Sequence, residues 1–263
     1  MGGISTDITT KIYAANVREL ENEALYDNAY HKVTEERRKK TDSFRFQKDR
    51  LLSLGAELLL MHGLKQKGIN LMEMNYHSGA NGKPYLKGRQ DIYFNLSHSE
   101  DVAVCAISLW EIGCDIEKIS DIRLNIAKKY FCESEYDLIA SQKTQEAKRE
   151  MFFRLWTLKE SYIKTTGMGM RMPMNSFCIN FNTNGIEVKQ KPGYKTCHFH
   201  ELNFETDFEA DFETHFKTHL WKNYKCSVCG FDEKIGTKGG VPFEILNFYD
   251  ILNDERYTKS TES

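Results

Sequence analysis

The chain has 263 residues, enough for a sizeable core in one large domain or two subdomains. Its 36 Lys and Arg against 38 Asp and Glu leave a net charge of -2, which excludes a global basic field for nucleic acid. No apolar run is long enough to span a bilayer and no signal-peptide segment opens the chain, so the seven Cys are expected as reduced thiols in the cytoplasm.

Met1, Gly2 and Ser5 with Thr6 fit the loose N-myristoylation pattern, but no basic cluster follows to add a second membrane signal, and lipidation is not expected. Residues 10–17 read as a first strand. A helical stretch follows and ends in the charged run 35–40, Glu-Glu-Arg-Arg-Lys-Lys. Residues 49–61 are apolar at helical spacing, a buried helix, and residues 81–84 (Asn-Gly-Lys-Pro) mark a turn. Residues 92–96, 102–108 and 112–116 read as three strands. A helical region runs with interruptions from 124 to about 151, and a strong helix covers 152–165, stopped by Gly167 and Gly169. Short alternating stretches from 177 to 229 suggest strands. The Phe-rich, acidic segment 202–216 has no clear period and reads as a variable loop or insertion, and residues 258–263 as a disordered tail. Cys226 and Cys229 form a lone CxxC downstream of His198, His200, His215 and His219. Zinc would need four converging ligands, so a strand with packed thiols is the favoured reading. The order is mixed α+β, without βαβ alternation and without a GxGxxG loop.

Five short stretches concentrate the chemistry. Asp115 and Glu117 are two apart in a predicted strand, so both leave one face while Ile116 points into the core. Paired carboxylates repel unless a cation lies between them, and hard oxygen donors suit Mg²⁺, although a solvated acidic edge gives the same pattern. Glu160 lies on the helix with Lys164 one turn on: either a surface pair, or a third ligand beside a cation that meets a phosphate. Ser97 and His98 close a strand, Arg37, Arg38, Lys39 and Lys40 cluster at a helix end, and Gly82-Lys83-Pro84 form a turn.

In order, Gly82-Lys83-Pro84, Asn95-Leu96-Ser97-His98-Ser99, Gly113-Cys114-Asp115-Ile116-Glu117, and Trp156 to Lys164 in the form W-x-x-K-E-x-x-x-K resemble the 4′-phosphopantetheinyl transferases, specifically the larger type that activates nonribosomal peptide synthetases. The likeness covers residues 10–180 and weakens toward Cys226. It implies an α+β pseudo-dimer of two similar subdomains, with coenzyme A bound between them. The expected divisions are 1–108, 109–240 with the acidic site, and an extension at 241–263. Position by position, the resemblance implies Asp115, Glu117 and Glu160 as Mg²⁺ ligands and Lys164 at the pyrophosphate. It places Asn95, Ser97 and His98 at coenzyme A, Gly82, Lys83 and Pro84 beside the adenine, and Arg37 with Lys40 at the 3′-phosphate. Glu135 matches a glutamate proposed as general base, with Glu133 nearby as the alternative.

The implied reaction moves phosphopantetheine from coenzyme A to a serine of an apo peptidyl or acyl carrier protein and releases 3′,5′-ADP. Lys164 and His98 would stabilise the phosphate charge. A monomer is expected, with no nucleic-acid or membrane partner. A coenzyme A-binding scaffold without transfer is the competing reading, and the intact acids argue against it.

Overall fold

The computed structural model describes residues 10–69, 75–122, 124–183, 185–189, 195–204, 221–237 and 240–254. The first half runs β1 (Lys11–Asn16), α1 (Glu23–Lys32), α2 (Glu35–Ser43), α3 (Gln47–Gln66), β2 (Tyr76–Ser78), β3 (Pro84–Leu86), β4 (Tyr93–Ser99) and β5 (Val102–Ser108). The second runs β6 (Ile112–Lys118), α4 (Leu124–Tyr130), α5 (Glu133–Ala140), α6 (Gln145–Thr166), β7 (Cys178–Asn182), β8 (Gly185–Lys189), β9 (His198–Leu202) and β10 (Tyr224–Gly230). Then β11 (Phe243–Leu246) and α7 (Phe248–Asn253) return to the first half, β11 pairing parallel to β1 and α7 placing Phe248, Ile251 and Leu252 in the first core. One sheet has the order β11-β1-β5-β4 and the other β6-β10-β9, while β2-β3 and β7-β8 are separate hairpins.

Strand alternation builds the layers. On β1, Tyr13 and Ala15 face α3, while Ile12 and Ala14 face the second sheet and meet Cys114, Ile116 and Val228. On the far side Phe199 and Cys229 meet Leu155, Leu158 and Tyr162 of α6. The stack is therefore helix, sheet, sheet, helix, an α+β fold in which each half pairs one sheet with one long helix. Every residue of α3 from Leu51 to Leu64 is buried, so this stretch is enclosed all round, with Ser53, Glu57 and His62 among its apolar residues. Gly63 permits its approach: a Cβ there would lie 2.6 Å from the Tyr13 ring.

The helical region after residue 124 is three helices. Thr144 ends the ambiguity: its Oγ1 accepts from the Ala147 amide, so α6 starts at Gln145, seven residues before the sequence reading placed it. Thr34 likewise caps α2 and splits the first helical stretch in two. Gly167 ends α6 at φ 65°, as its position predicts. The expectation of reduced thiols throughout is corrected at one pair, Cys132 and Cys178, which form a disulfide joining α5 to β7. The CxxC does lie in a strand, β10. Cys226 falls in the core between the sheets and Cys229 in the core under α6, so the two thiols point to opposite faces and cannot share one ion. The myristoylation pattern, most of the Phe-rich segment and the predicted tail lie outside the described residues.

Candidate active site

The acidic site is built where β6 crosses α6. Because Ile112, Cys114 and Ile116 fill the inter-sheet core, Gly113, Asp115 and Glu117 face α6. Gly113 sets the spacing, since a Cβ there would fall 2.2 Å from the Ser161 carbonyl oxygen and 2.5 Å from the Thr165 amide nitrogen. At that separation the Lys164 ammonium reaches Asp115 Oδ1 at 2.6 Å, Ser97 Oγ at 3.1 Å and the Cys114 carbonyl at 3.1 Å. Ser97 Oγ donates to Asp115 Oδ1 at 3.0 Å, and Ser99 Oγ donates to Glu117 Oε2 at 3.0 Å.

The electrostatics leave the acids short of positive charge. Burial, and then neighbouring carboxylate charge, pushes Glu117 up to about 7. Glu160 is raised for the same two reasons. Burial also raises Asp115, against the pull of Lys164 and Ser97. Burial works to lower the Lys164 ammonium, but Asp115 and its other acidic neighbours outweigh it and the net shift is upward. His98 is held down by desolvation and by the Lys164 charge.

Two compartments of one cleft open beside this cluster. One, of about 420 Å³, is lined by Arg37, Lys40, Gly82, Pro84, Asn95 and His98. The other, of about 700 Å³, shares Gly82, Pro84 and Asn95 and adds Lys83, Glu160, Lys164 and an apolar wall that includes Tyr130, Trp156 and Met174. The structure thus brings the basic cluster, the Gly-Lys-Pro turn, the Asn-x-Ser-His strand end and the α6 charges to one groove between the halves. A larger cavity of about 1030 Å³ lies elsewhere, along Arg149, Arg154 and Trp221, with none of these residues in its lining.

Two residues expected at coenzyme A, Lys83 and Arg37, and the expected general base, Glu135, have other engagements. The Lys83 ammonium turns inward to Glu111 Oε2 at 2.7 Å and to the Ile112 and Thr165 carbonyls, a strut between the start of β6 and the end of α6. Arg37 keeps its place in the cleft wall but pairs with the fully buried Glu57 at 2.5 Å, leaving Lys40 as the exposed cation of the two. Glu135 is not brought to the cluster. It is 1% exposed, receives Lys159 on both oxygens at 2.7 and 2.8 Å, and also accepts from the Ile179 and Cys132 amides. Glu133 is exposed on α5 and does not line the cleft either.

Among the described residues no three His, Cys, Asp or Glu side chains stand close enough to grip an ion unaided, and Lys164 already occupies Asp115 Oδ1. The donor set nevertheless fits a hard divalent cation: Asp115 Oδ2 is buried without a hydrogen-bond partner, and the neighbouring acids are strained toward protonation. Sequence reasoning missed Ser99, Glu111 and the Lys159 partnership. The first had a legible signal, the alternation Asn95-x-Ser97-x-Ser99 along a strand. The other two meet their partners only through tertiary packing.

Residues 111–229 match the family model described as the 4′-phosphopantetheinyl transferase superfamily, and residues 21–109 match the 4′-phosphopantetheinyl transferase N-terminal model. The two matches divide the chain at the β5–β6 turn, where the second sheet begins. The 4′-phosphopantetheinyl transferase gsp of Aneurinibacillus migulanus is 33% identical over 215 residues, covering 81% of this chain and 82% of the relative. The 4′-phosphopantetheinyl transferase Sfp of Bacillus subtilis strain 168 is 31% identical, covering 63% and 75%. A human relative, the L-aminoadipate-semialdehyde dehydrogenase-phosphopantetheinyl transferase, is 27% identical over 62% of this chain and 57% of its own length. The chain belongs to the 4′-phosphopantetheinyl transferase family, and within it to the large type represented by gsp and Sfp.

Proposed function

We propose that the protein transfers the 4′-phosphopantetheine group of coenzyme A to a serine hydroxyl of an apo carrier protein, a peptidyl carrier foremost. The observation that supports this most is one cleft with Arg37 and the exposed Lys40 in the wall of one compartment and Glu160 and Lys164 in the wall of the other, where Lys164 pairs with the buried Asp115. A ligand with a phosphorylated nucleoside and a pyrophosphate needs that spacing of charge. Lys40 and Arg37 would hold the 3′-phosphate, the Gly82–Pro84 turn and Asn95 the adenosine end, and His98 and Lys164 the pyrophosphate, with Ser97 holding Lys164 in place. The apolar wall of Tyr130, Trp156 and Met174 suits the uncharged pantetheine arm.

Asp115, Glu117 and Glu160 would hold Mg²⁺, which supplies charge neutralisation at the phosphates when bound. The serine oxygen forms a bond to the β-phosphorus as the bond from that phosphorus to the bridging oxygen breaks; 3′,5′-ADP leaves with the electron pair, and the serine proton passes to water in the open cleft. The Lys164 charge stabilises the phosphate oxygens as negative charge spreads over them, and His98, neutral near pH 7, donates a hydrogen bond to them. Glu135 takes no direct part in this scheme, because its oxygens already accept from Lys159, Cys132 and Ile179. It supports α6 from below. Chromatography of 3′,5′-ADP tests the reaction: release should require an apo carrier with its serine intact. Release without that serine would show hydrolysis of coenzyme A instead.

A further inference from the structure

The two sheets meet edge to edge at β4 and β6, yet no backbone ladder joins them. An unpaired edge leaves alternate amides without acceptors, a cost that folded proteins meet somewhere. Here the side chains of β4 meet it. Asn95 Oδ1 accepts from the Cys114 amide at 2.9 Å, Ser97 Oγ from Ile116 at 3.3 Å, and Ser99 Oγ from Lys118 at 3.1 Å. Each step advances two residues on both strands, so the motif acts as a side-chain ladder in parallel register.

The hydroxyls of this ladder have a second task. A serine hydroxyl offers one proton and two acceptor sites. Ser97 fills all three: it accepts from Ile116 and Lys164 and donates to Asp115 Oδ1. Ser99 accepts from Lys118 and therefore has its proton for Glu117 Oε2. A hydroxyl whose acceptor side is pinned by the opposing backbone has a fixed direction for its proton, and so fixes the carboxylate that receives it. Glu117 has no ion pair among the described residues to orient it, and the Ser99 hydroxyl is the side chain that donates to it there.

We propose that Ser99 is a positioning residue for Glu117, and that the Asn95-Ser97-Ser99 ladder sets the carboxylate pair in place by joining the two halves of the molecule. The inference rests on the metal-ligand reading of Asp115, Glu117 and Glu160 given above. Ser99 touches neither substrate nor reacting atoms. It acts by holding one oxygen of Glu117 so that the other is presented toward Asp115 and α6. A side chain without a donor at this position would leave Glu117 free to turn to solvent and the Lys118 amide without its acceptor.

The test is binding of Mn²⁺, as a probe for the divalent cation, to the full chain with coenzyme A present, read by electron paramagnetic resonance of free Mn²⁺. Ser99→Ala should weaken Mn²⁺ about tenfold or more, as loss of a group that orients a metal ligand does, while Ser99→Thr, which keeps the hydroxyl, should bind within about twofold of the native chain. Circular dichroism on the same samples establishes that both variants are folded, and should Ser99→Ala not fold, Ser99→Cys replaces it with a far weaker donor and should show the same direction of loss. Native-like affinity in a folded variant without the serine or threonine hydroxyl would overturn the assignment of Ser99 alone. A native chain that binds no Mn²⁺ would overturn the metal-ligand reading itself, and with it this role.

Discussion

At Asp115 one carboxylate oxygen is shared by Lys164 and Ser97, while the other is buried with no partner at all. A buried acceptor left unsatisfied costs about 1–3 kcal/mol, so its retention makes sense if a ligand completes it. Asp115→Asn should therefore lower transferase turnover by at least about a hundredfold, with native far-ultraviolet dichroism; a variant with native turnover would remove Asp115 from the site. Glu135 is the opposite case, a carboxylate with every contact made inside the protein. Removing one partner of a buried ion pair typically costs about 3–5 kcal/mol, so Glu135→Ala should shift the urea unfolding midpoint strongly downward. A native midpoint combined with a large loss of rate would instead return Glu135 to the chemistry. The residue scale was largely legible in the sequence where spacing fixes direction, as at Asp115 and Glu117 on one strand face. It was not legible at Glu135 or Lys83, where the choice between solvent and protein interior depends on which chain segment packs above.

The element that organises the site is α6, and its distance from β6 is set by Gly113. Gly113→Ala would drive a methyl into the Ser161 and Thr165 backbone, where no side-chain rotation relieves the clash. Overpacking of this kind costs about 1–3 kcal/mol, and turnover should fall further than stability because Lys164 moves with the helix. Urea unfolding and turnover measured on one preparation check both. The existence of both β6 and α6 was readable from strand and helix periodicity. The start of α6 was not, because the Thr144 cap follows only a short break after α5 and the region reads as one interrupted helix. The disulfide lay beyond reach too: Cys132 and Cys178 are 46 residues apart, and nothing local pairs them. Thiol titration of the denatured, unreduced chain should find five free thiols among seven Cys; seven would show that the bridge does not form.

Across the whole molecule, two halves each contribute what the other lacks, cations and turn residues from the first, carboxylates and Lys164 from the second. Their confrontation makes stability depend on pH. Glu117 stands at about 7 when folded against an ordinary 4.5, so the folded state keeps a proton that the unfolded chain has released. Its unfavourable contribution is absent below about 4.5 and complete above about 7, which means stability falls as pH rises through that window. Asp115 and Glu160 shift in the same direction. In EDTA, thermal unfolding should therefore show a native-minus-Glu117→Gln difference that grows more negative from about pH 4.5 to about pH 7, and Mg²⁺ should reduce that difference at the upper end. A difference independent of pH would contradict the charge balance described here.

Intact-mass spectrometry of an apo peptidyl carrier protein incubated with this protein, coenzyme A and Mg²⁺, beside an EDTA control, tests the central claim most directly. The expected result is the gain of one phosphopantetheine group on the carrier serine, absent in EDTA. A carrier of unchanged mass in the presence of Mg²⁺, with coenzyme A bound to the protein, would contradict it.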